Sequence, residues 1–383
     1  MLMTFGFSLT LPPAVSALDV PWSPVNQQVP NPLVTMGGQA IRTVEEWETI
    51  RRPEIMERYT SQYYGRMPEP DTYTQQFKVA EEVLLSDGQG KRKTVKITIT
   101  GPDGSMSYNV KIFLPVADQP VPVIMLCNHR GRIDDDHNSP YMPLPMILDR
   151  GYGVAVYEMN DVAPGGGQDR EAWKSKLYKQ FNLTGPDAWQ NKGVWTFGGL
   201  RVVDYLATDP DIERIATAGQ SRGGTLAMWI AANDQRISYC IANNAGHGGF
   251  VLWAFKGVDG DKTFWPCRNY QAHKKNWPDW ELGVDGNLMI SLIAPRLFAG
   301  GTANRDKPRD FESQYYSFVY AQSVWNLYGL LEEIWTPDQF SKEAVVRQNG
   351  NFQYHVADHK HDLKVWDWTQ YLNFADQKWK ATK

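Results

Sequence analysis

The chain has 383 residues, of which 42% are hydrophobic and 21% are charged, and its formal net charge is −4. These proportions are those of a water-soluble globular protein, and the weak negative charge argues against a nucleic-acid partner or an anionic membrane partner. The three cysteines, Cys127, Cys240 and Cys267, exclude a disulfide-stapled scaffold and match no metal-ligand spacing. One disulfide would be allowed, but Cys127 and Cys240 fall in predicted buried strands, which favours simple core packing.

The N-terminus predicts an exported protein. Residues 1–11 are apolar, and Val15-Ser16-Ala17 resembles a signal-peptide cleavage site, although the basic start of such a peptide is missing. We therefore interpret residues 1–17 as the remnant of a signal peptide and expect a secreted or periplasmic bacterial protein. No later stretch is long and apolar enough to span a bilayer.

Residues 18–76 predict an N-terminal arm followed by helices that pack on the core. The first part, residues 18–40, is rich in Pro, Val and Asn and predicts an irregular segment. Thr43 and Glu46 have the spacing of a capping box, which predicts a helix start. We expect this helix to continue to Arg51.

Residues 77–383 predict a single catalytic domain. Two alternating runs, Val95–Ile99 and Val110–Leu114, flank a Gly-Pro-Asp-Gly turn and predict a hairpin at a sheet edge. Further along, short apolar runs predict buried strands, and longer runs with helical spacing separate them. The predicted strands cover 121–126, 153–157, 215–218, 239–242, 295–299 and 352–354, and the predicted helices cover 142–148, 195–208, 226–232, 288–293, 316–331 and 366–379. This alternation predicts an α/β fold, a three-layer sandwich with a mostly parallel central sheet.

The turn between strand 215–218 and helix 226–232 carries the motif G-x-S-x-G, with its serine at position 221. Strand, sharp turn and helix form the context in which this motif builds a nucleophile elbow. Gly219 and Gly223 are required there because side chains would collide with the neighbouring strand and helix. We therefore predict that Ser221 is a nucleophile, and the alternative is a glycine-rich turn with an incidental serine.

A serine hydroxyl needs a general base, and the base needs an acid that orients its ring. In an α/β-hydrolase fold both follow the serine along the chain, the acid first. His361 lies between the last predicted strand and the final helix, where the base belongs, and His359 is the alternative.

The acid is expected after the strand that ends near residues 300–301. Asp306 has the right distance along the chain, and Asp310 and Glu312 are the alternatives. Each of these residues would otherwise serve as a helix cap or a first-turn acid.

The oxyanion of acyl transfer needs hydrogen-bond donors that are already in place. The backbone N–H of Arg222 is one predicted donor, and the second is either the Arg222 guanidinium or a backbone group of residues 128–131. A structural ion pair is the other interpretation of Arg222. The aromatic content of 13% suits platforms for sugar rings and equally suits a large core.

These residues resemble the glucuronoyl esterases, carbohydrate esterase family 15 of the α/β-hydrolase superfamily, from about residue 30 to the C-terminus. Five segments carry the resemblance: Phe197–Arg201, Gly219–Gly224, Asn243–Gly249, Leu292–Arg296, and His361-Asp362 ahead of the helix with Asp367-Trp368. Several motifs in the right order are much more specific than a lone G-x-S-x-G.

The resemblance implies hydrolysis of the ester between a lignin alcohol and 4-O-methyl-glucuronate on xylan, without a metal or other cofactor. It implies Ser221 as nucleophile, His361 as base and Arg222 as oxyanion stabiliser, and Trp265 looks like the family's substrate-stacking tryptophan. Fungal members have a glutamate acid at the position of Asn244, which cannot serve. Bacterial members often place the acid after the next strand, which supports Asp306.

Two departures affect the predicted sugar site. The family usually has a lysine at the position of Thr225, and its Phe-Asp-Gln-His segment is Val-Asp-Gly-Asn at residues 284–287 here. We predict that Thr225 and Trp265 contact a carbohydrate ester, glucuronoxylan or a related polysaccharide. The alternatives are a polysaccharide acetyl esterase, an inactive carbohydrate-binding relative and, without propeller-like repeats to support it, a peptidase. We expect a monomer.

Overall fold

The computed structural model describes residues 22–24, 26–86, 88–133, 138–165, 175–254, 282–306 and 311–380. These residues contain a ten-stranded sheet and a separate two-stranded sheet. The strands are β1 Thr74–Leu84, β2 Gly90–Gly101, β3 Gly104–Pro115, β4 Val121–Asn128, β5 Asn138–Ser139, β6 Met142–Pro143, β7 Gly153–Glu158, β8 Ile212–Gln220, β9 Ile237–Asn243, β10 Leu297–Ala303, β11 Val345–Asn349 and β12 Phe352–Ala357.

The large sheet has the order β1-β2-β3-β7-β4-β8-β9-β10-β12-β11. Strands from β7 to β12 in this order pair in parallel, while β1, β2 and β3 at one edge and β11 at the other are antiparallel. The prediction of a mostly parallel α/β sheet is therefore confirmed. The carboxyl ends of β4, β8, β9, β10 and β12 consequently lie side by side at the same end of the sheet.

The α-helices of four or more residues complete the layers. Their bounds are α1 Arg52–Tyr59, α2 Leu144–Asp149, α3 Met159–Val162, α4 Lys176–Lys179, α5 Asn191–Leu206, α6 Arg222–Asn233, α7 Gly286–Ser291, α8 Phe311–Leu327 and α9 Val365–Trp379. The predicted helix 316–331 ends too late, because Gly329 adopts a positive φ of 68° just past the end of α8.

Strand β4 shows why the molecule has three layers. Val123 and Met125 belong to one apolar core, which α5, α6 and α8 cover, while Ile124 and Leu126 belong to a second core under α2 and α9. Successive side chains of a strand point to opposite faces, so an uninterrupted apolar run is buried on both. Continuous burial of this kind fixes the central strands at the middle of the sandwich.

Two edge strands were not predicted individually. β1 is mostly exposed and mixes charged with apolar residues, so it carries little hydrophobic pattern. β11 pairs with β12 across the two residues Gly350 and Asn351, and Gly350 has a φ of 55°. A Gly-Asn pair between two strands is a recognised hairpin signal, which the sequence therefore contains.

The N-terminal helices begin at the predicted capping box. The backbone N–H of Glu46 donates to Thr43 Oγ1 at 3.1 Å, and the N–H of Thr43 donates to Glu46 Oε2 at 3.1 Å. The helical run continues, partly with wider π-type turns, through Tyr64. It is joined to the rest of the chain by Tyr59, whose hydroxyl donates to the Asp285 carbonyl at 2.8 Å.

Cys127 and Cys240 are buried free thiols, as the interpretation of core packing expects. Burial raises the pKa of both, that of Cys240 to about 12, so neither is a reactive thiolate. Cys267 and residues 1–17 lie outside the described residues. Within the described ranges, no helix has both the length and the apolar character needed to cross a bilayer.

Candidate active site

Ser221 occupies the strained turn between β8 and α6. Its φ of 56° and ψ of −123° are rare for a residue with a side chain, and its backbone N–H donates to the Asn243 carbonyl at 2.8 Å. An ideal Cβ added to Gly219 would lie 2.2 Å from the carbonyl carbon of Gly223, and one added to Gly223 would lie 2.4 Å from the carbonyl oxygen of Cys127. Only glycine fits at both positions, as the elbow interpretation requires.

The structure brings His361 and Asp306 together. His361 Nδ1 lies 2.6 Å from Asp306 Oδ2, and the aspartate side chain is buried while the imidazole is partly exposed. Asp306 follows β10 in a turn closed by its own N–H on the Ala303 carbonyl at 3.1 Å. When the proton of the neutral imidazole is on Nδ1, Nε2 carries the lone pair and is therefore the basic atom.

The alternatives for the base and the acid have other partners. His359 uses both ring nitrogens, Nδ1 with the Lys360 carbonyl at 2.6 Å and Nε2 with Asp367 Oδ2 at 2.9 Å. Glu312 lies in α8 and accepts a hydrogen bond from the Tyr316 hydroxyl at 2.6 Å. Asp310 lies outside the described residues.

The loop that carries His361 is held against β9 by two amides. Asn243 Nδ2 and Asn244 Nδ2 donate to the Asp362 carbonyl at 2.6 and 2.8 Å. Arg130 adds an ion pair with the Asp362 carboxylate. Asn243 also accepts the Ser221 N–H through its carbonyl, so one residue connects the elbow to the histidine loop. The sequence interpretation had dismissed Asn244 as an acid and had missed this positioning role.

Among the described residues, no hydrogen bond joins the Ser221 hydroxyl to the His361 ring. Catalytic hydrogen bonds are often long in a free enzyme and shorten when substrate binds. The catalytic assignment of Ser221, His361 and Asp306 therefore stays a prediction, supported by the elbow geometry and the His361–Asp306 pair.

Arg222 is the first residue of α6, and its Nη1 donates to the Gly165 carbonyl at 3.4 Å. Thr225 is buried, and its hydroxyl donates to the Ser221 carbonyl at 3.4 Å. Its predicted contact with substrate is not tested by this geometry. Trp265 lies outside the described residues.

A buried carboxylate stabilises the same loop from below. Asp367 accepts hydrogen bonds from His355 Nε2 and His359 Nε2, both at 2.9 Å, and from the Lys364 N–H at 2.7 Å. Burial alone would raise the pKa of Asp367, but the hydrogen bonds from the two histidines outweigh it and lower this pKa to about 2. Burial, the largest single influence, also opposes a charge on His359, but its hydrogen bonds to Asp367 and to the Lys360 carbonyl, together with the negative charge of Asp367, outweigh burial and raise the pKa of His359.

We predict that Asp367→Asn lowers the free energy of unfolding by about 3–5 kcal/mol, the usual cost of breaking a buried pair. The lowered pKa of Asp367 stabilises the fold above about pH 4, and this term is lost as the pH falls toward about 2. The raised pKa of His359 stabilises it below about pH 6.5, a term lost as the pH rises through the higher pKa of the folded state.

Denaturant unfolding at a series of pH values measures this effect, which should be largest between about pH 4 and 6.5. The control is Asp358→Asn, because Asp358 pairs with Arg305 on the exposed surface. We expect that variant to leave the free energy of unfolding nearly unchanged. Equal effects of the two substitutions would contradict the structural role of Asp367.

No group of three or more His, Cys, Asp or Glu side chains suited to a metal occurs within the described ranges. Ser221 is followed directly by the guanidinium-bearing Arg222 at the start of α6, and His361 lies in the loop after β12, at the same end of the sheet. The arrangement suits acyl transfer, in which a serine attacks a carbonyl carbon and protein donors hold the oxyanion.

Comparison with known proteins agrees with this chemistry. The profile of a family described as "Glucuronyl esterase, fungi" matches residues 97–329. A solved glucuronoyl esterase from Solibacter usitatus is 26% identical, with a TM-score of 0.77 over 92% of this chain and 98% of that one. A carbohydrate esterase from an unknown prokaryotic organism is 25% identical over an alignment 402 residues long, which covers 91% of this chain and 89% of the relative.

A fungal relative is the 4-O-methyl-glucuronoyl methylesterase 1 of Phanerochaete chrysosporium. It is 24% identical over 357 residues, and the match covers 88% of this chain and 66% of the relative. Fold and similarity together define a carboxylic ester hydrolase with the α/β-hydrolase architecture. Since the matching profile spans more than half of the sequence, the chain belongs to the glucuronyl esterase family.

Proposed function

We propose that the protein hydrolyses 4-O-methyl-glucuronoyl esters that link xylan to lignin alcohols, with Ser221, His361 and Asp306 as its catalytic triad. The observation that carries the proposal is the 2.6 Å contact of His361 Nδ1 with Asp306, on a loop that Asn243 joins to the elbow of Ser221. The names of the relatives, which include a 4-O-methyl-glucuronoyl methylesterase, support the choice of ester.

The proposed reaction has two halves. Ser221 Oγ attacks the ester carbonyl carbon while its proton passes to His361 Nε2, and Asp306 stabilises the imidazolium. The backbone N–H and the guanidinium of Arg222 hold the oxyanion. The tetrahedral intermediate then collapses, and His361 gives its proton to the departing alcohol oxygen. Water next attacks the acyl-enzyme with His361 as base, which releases the uronic acid and restores the Ser221 hydroxyl.

The test compares two substrates on the purified enzyme. We expect turnover of benzyl glucuronate, measured as release of benzyl alcohol, to exceed deacetylation of acetylated xylan. A second candidate function, polysaccharide acetyl esterase, is favoured by Thr225, an uncharged and buried residue where the family's sugar-contacting lysine would stand. Deacetylation without turnover of the glucuronate ester would favour this second function.

We propose that the protein acts outside the cytoplasm, in the periplasm or as a secreted monomer, because xylan and lignin are extracellular polymers. Expression in a bacterial host with residues 1–17 retained, followed by cell fractionation and size-exclusion chromatography, measures both properties. Retention of active protein in the cytoplasm would contradict export, and elution at twice the mass of 43.6 kDa would contradict the monomer.

A further inference from the structure

His129 is a residue that the sequence interpretation did not consider, because the base and acid were sought only downstream of Ser221. It directly follows β4, so it lies at the end of the sheet formed by the carboxyl ends of the parallel strands, where Ser221 and the loop of His361 also lie. Its loop is held by Asn128, whose side-chain amide donates to the Gly131 carbonyl at 2.6 Å and to Glu158 Oε2 at 2.8 Å. The imidazole is thus attached to a turn that hydrogen bonds hold in place, at the same end of the sheet as Ser221.

The ring packs against the first turn of α6. An ideal Cβ on Gly223 would come 3.3 Å from His129 Nδ1, so this nitrogen faces the backbone that follows Ser221. Nδ1 is buried and has no hydrogen-bond partner within the described ranges, whereas Nε2 is not enclosed in this way. Of the two nitrogens, Nε2 is therefore the one open to a ligand.

The electrostatic surroundings favour one form of the ring. The N-terminus of α6 carries partial positive charge, which disfavours an N–H pointing at it and favours a lone pair. The proton of neutral His129 therefore belongs on Nε2. Burial, followed by the nearby charges of Arg222 and Arg130, lowers the pKa of His129 to about 3, so the ring remains neutral near pH 7.

We infer that His129 donates a hydrogen bond from Nε2–H to the ester carbonyl oxygen, and that this bond strengthens as the oxyanion forms. The proposal rests on the proposed esterase function and adds a catalytic residue to it. A neutral imidazole at a helix N-terminus can polarise a carbonyl without exchanging its proton. His129 would thus supply a side-chain donor beside the backbone N–H of Arg222.

Three substitutions separate the two ring nitrogens. The side-chain amide of His129→Gln reaches the position of Nε2, that of His129→Asn reaches only the position of Nδ1, and His129→Met fills the space without a donor. Loss of one oxyanion donor lowers kcat by about 10²–10³-fold, with little change in KM. We expect this loss in the Met and Asn variants, and we expect the Gln variant to recover at least tenfold over Met.

Equal activity of the Gln and Met variants, or recovery by Asn instead of Gln, would overturn the proposal. A second measurement is made on the unmodified enzyme: the ¹⁵N spectrum of its imidazoles at pH 7. The His129 signals are assigned as those missing from the spectrum of one His129 variant. They should show the Nε2–H form, and an Nδ1–H or doubly protonated ring would also overturn the proposal.

Ser221→Ala measured in parallel separates a failure of the proposed role of His129 from a failure of the proposed function. If Ser221→Ala is inactive and His129→Met matches the unmodified enzyme, only the role of His129 fails. If Ser221→Ala keeps its activity, the proposed function itself fails.

Discussion

Ser221→Ala should fold normally and lower kcat for a glucuronate ester at least ~10³-fold. The reason is that the hydroxyl is the only group of this residue that forms the acyl-enzyme, so its removal leaves binding and oxyanion donors but no covalent route. Alanine has the same Cβ as serine, so the positive φ of 56° costs the variant no additional backbone strain. Steady-state kinetics and the denaturant midpoint measure the two parts of the expectation.

The matched control is Ser238→Ala, on the strand beside the elbow strand. The Ser238 hydroxyl donates to the Ile215 carbonyl at 3.0 Å, so its loss removes a structural hydrogen bond and no catalytic group. We expect kcat within a few-fold of the unmodified enzyme and a loss of about 1 kcal/mol in stability. Unchanged kcat in Ser221→Ala would contradict the nucleophile, and labelling by a fluorophosphonate should disappear in the same variant.

The core of this fold could be predicted because burial leaves a direct record in the sequence. Strands such as Val121–Asn128 and Gly153–Glu158 are covered on both faces and therefore consist almost entirely of apolar residues. The elbow was predictable for a different reason: two glycines are sterically required around Ser221, and this need fixes residue types at short spacing. Local constraints of both kinds are visible without any knowledge of the tertiary structure.

The supports of the site could not be predicted in the same way. The Asp362 carbonyl accepts from two amides that are 118 and 119 residues away in the chain. An asparagine has no pattern that reveals a partner at such a distance, and its amide serves many loops equally well. The same holds for His129, whose relation to Gly223 arises only when β4 and α6 pack together.

The family resemblance was informative about the chemistry and less informative about the supports. It indicated that the acid follows the strand after β9, and the structure has Asp306 in contact with His361 there. It also removed Asn244 from consideration as an acid, although this residue holds the loop of the base. A residue that replaces a catalytic carboxylate can thus keep a part in the site by donating where the carboxylate could only accept.

Asp306→Asn should lower kcat about 10⁴-fold, which is the second large effect that we expect. The carboxylate can only accept a hydrogen bond, so it keeps the imidazole proton of His361 on Nδ1 and the lone pair on Nε2. An amide can also donate, which allows the proton to move to Nε2, and it supplies no charge to stabilise the imidazolium. KM should change little because Asp306 is buried behind the histidine.

The control for Asp306→Asn is Glu312→Gln, which makes the same chemical change at the alternative acid. Glu312 accepts from the Tyr316 hydroxyl within α8, so its neutralisation should leave kcat within a few-fold of the unmodified enzyme. The reverse result, an active Asp306→Asn and an inactive Glu312→Gln, would transfer the acid to α8. It would also mean that His361 turns its ring in the working enzyme, because Asp306 is the carboxylate that contacts its Nδ1 within the described ranges.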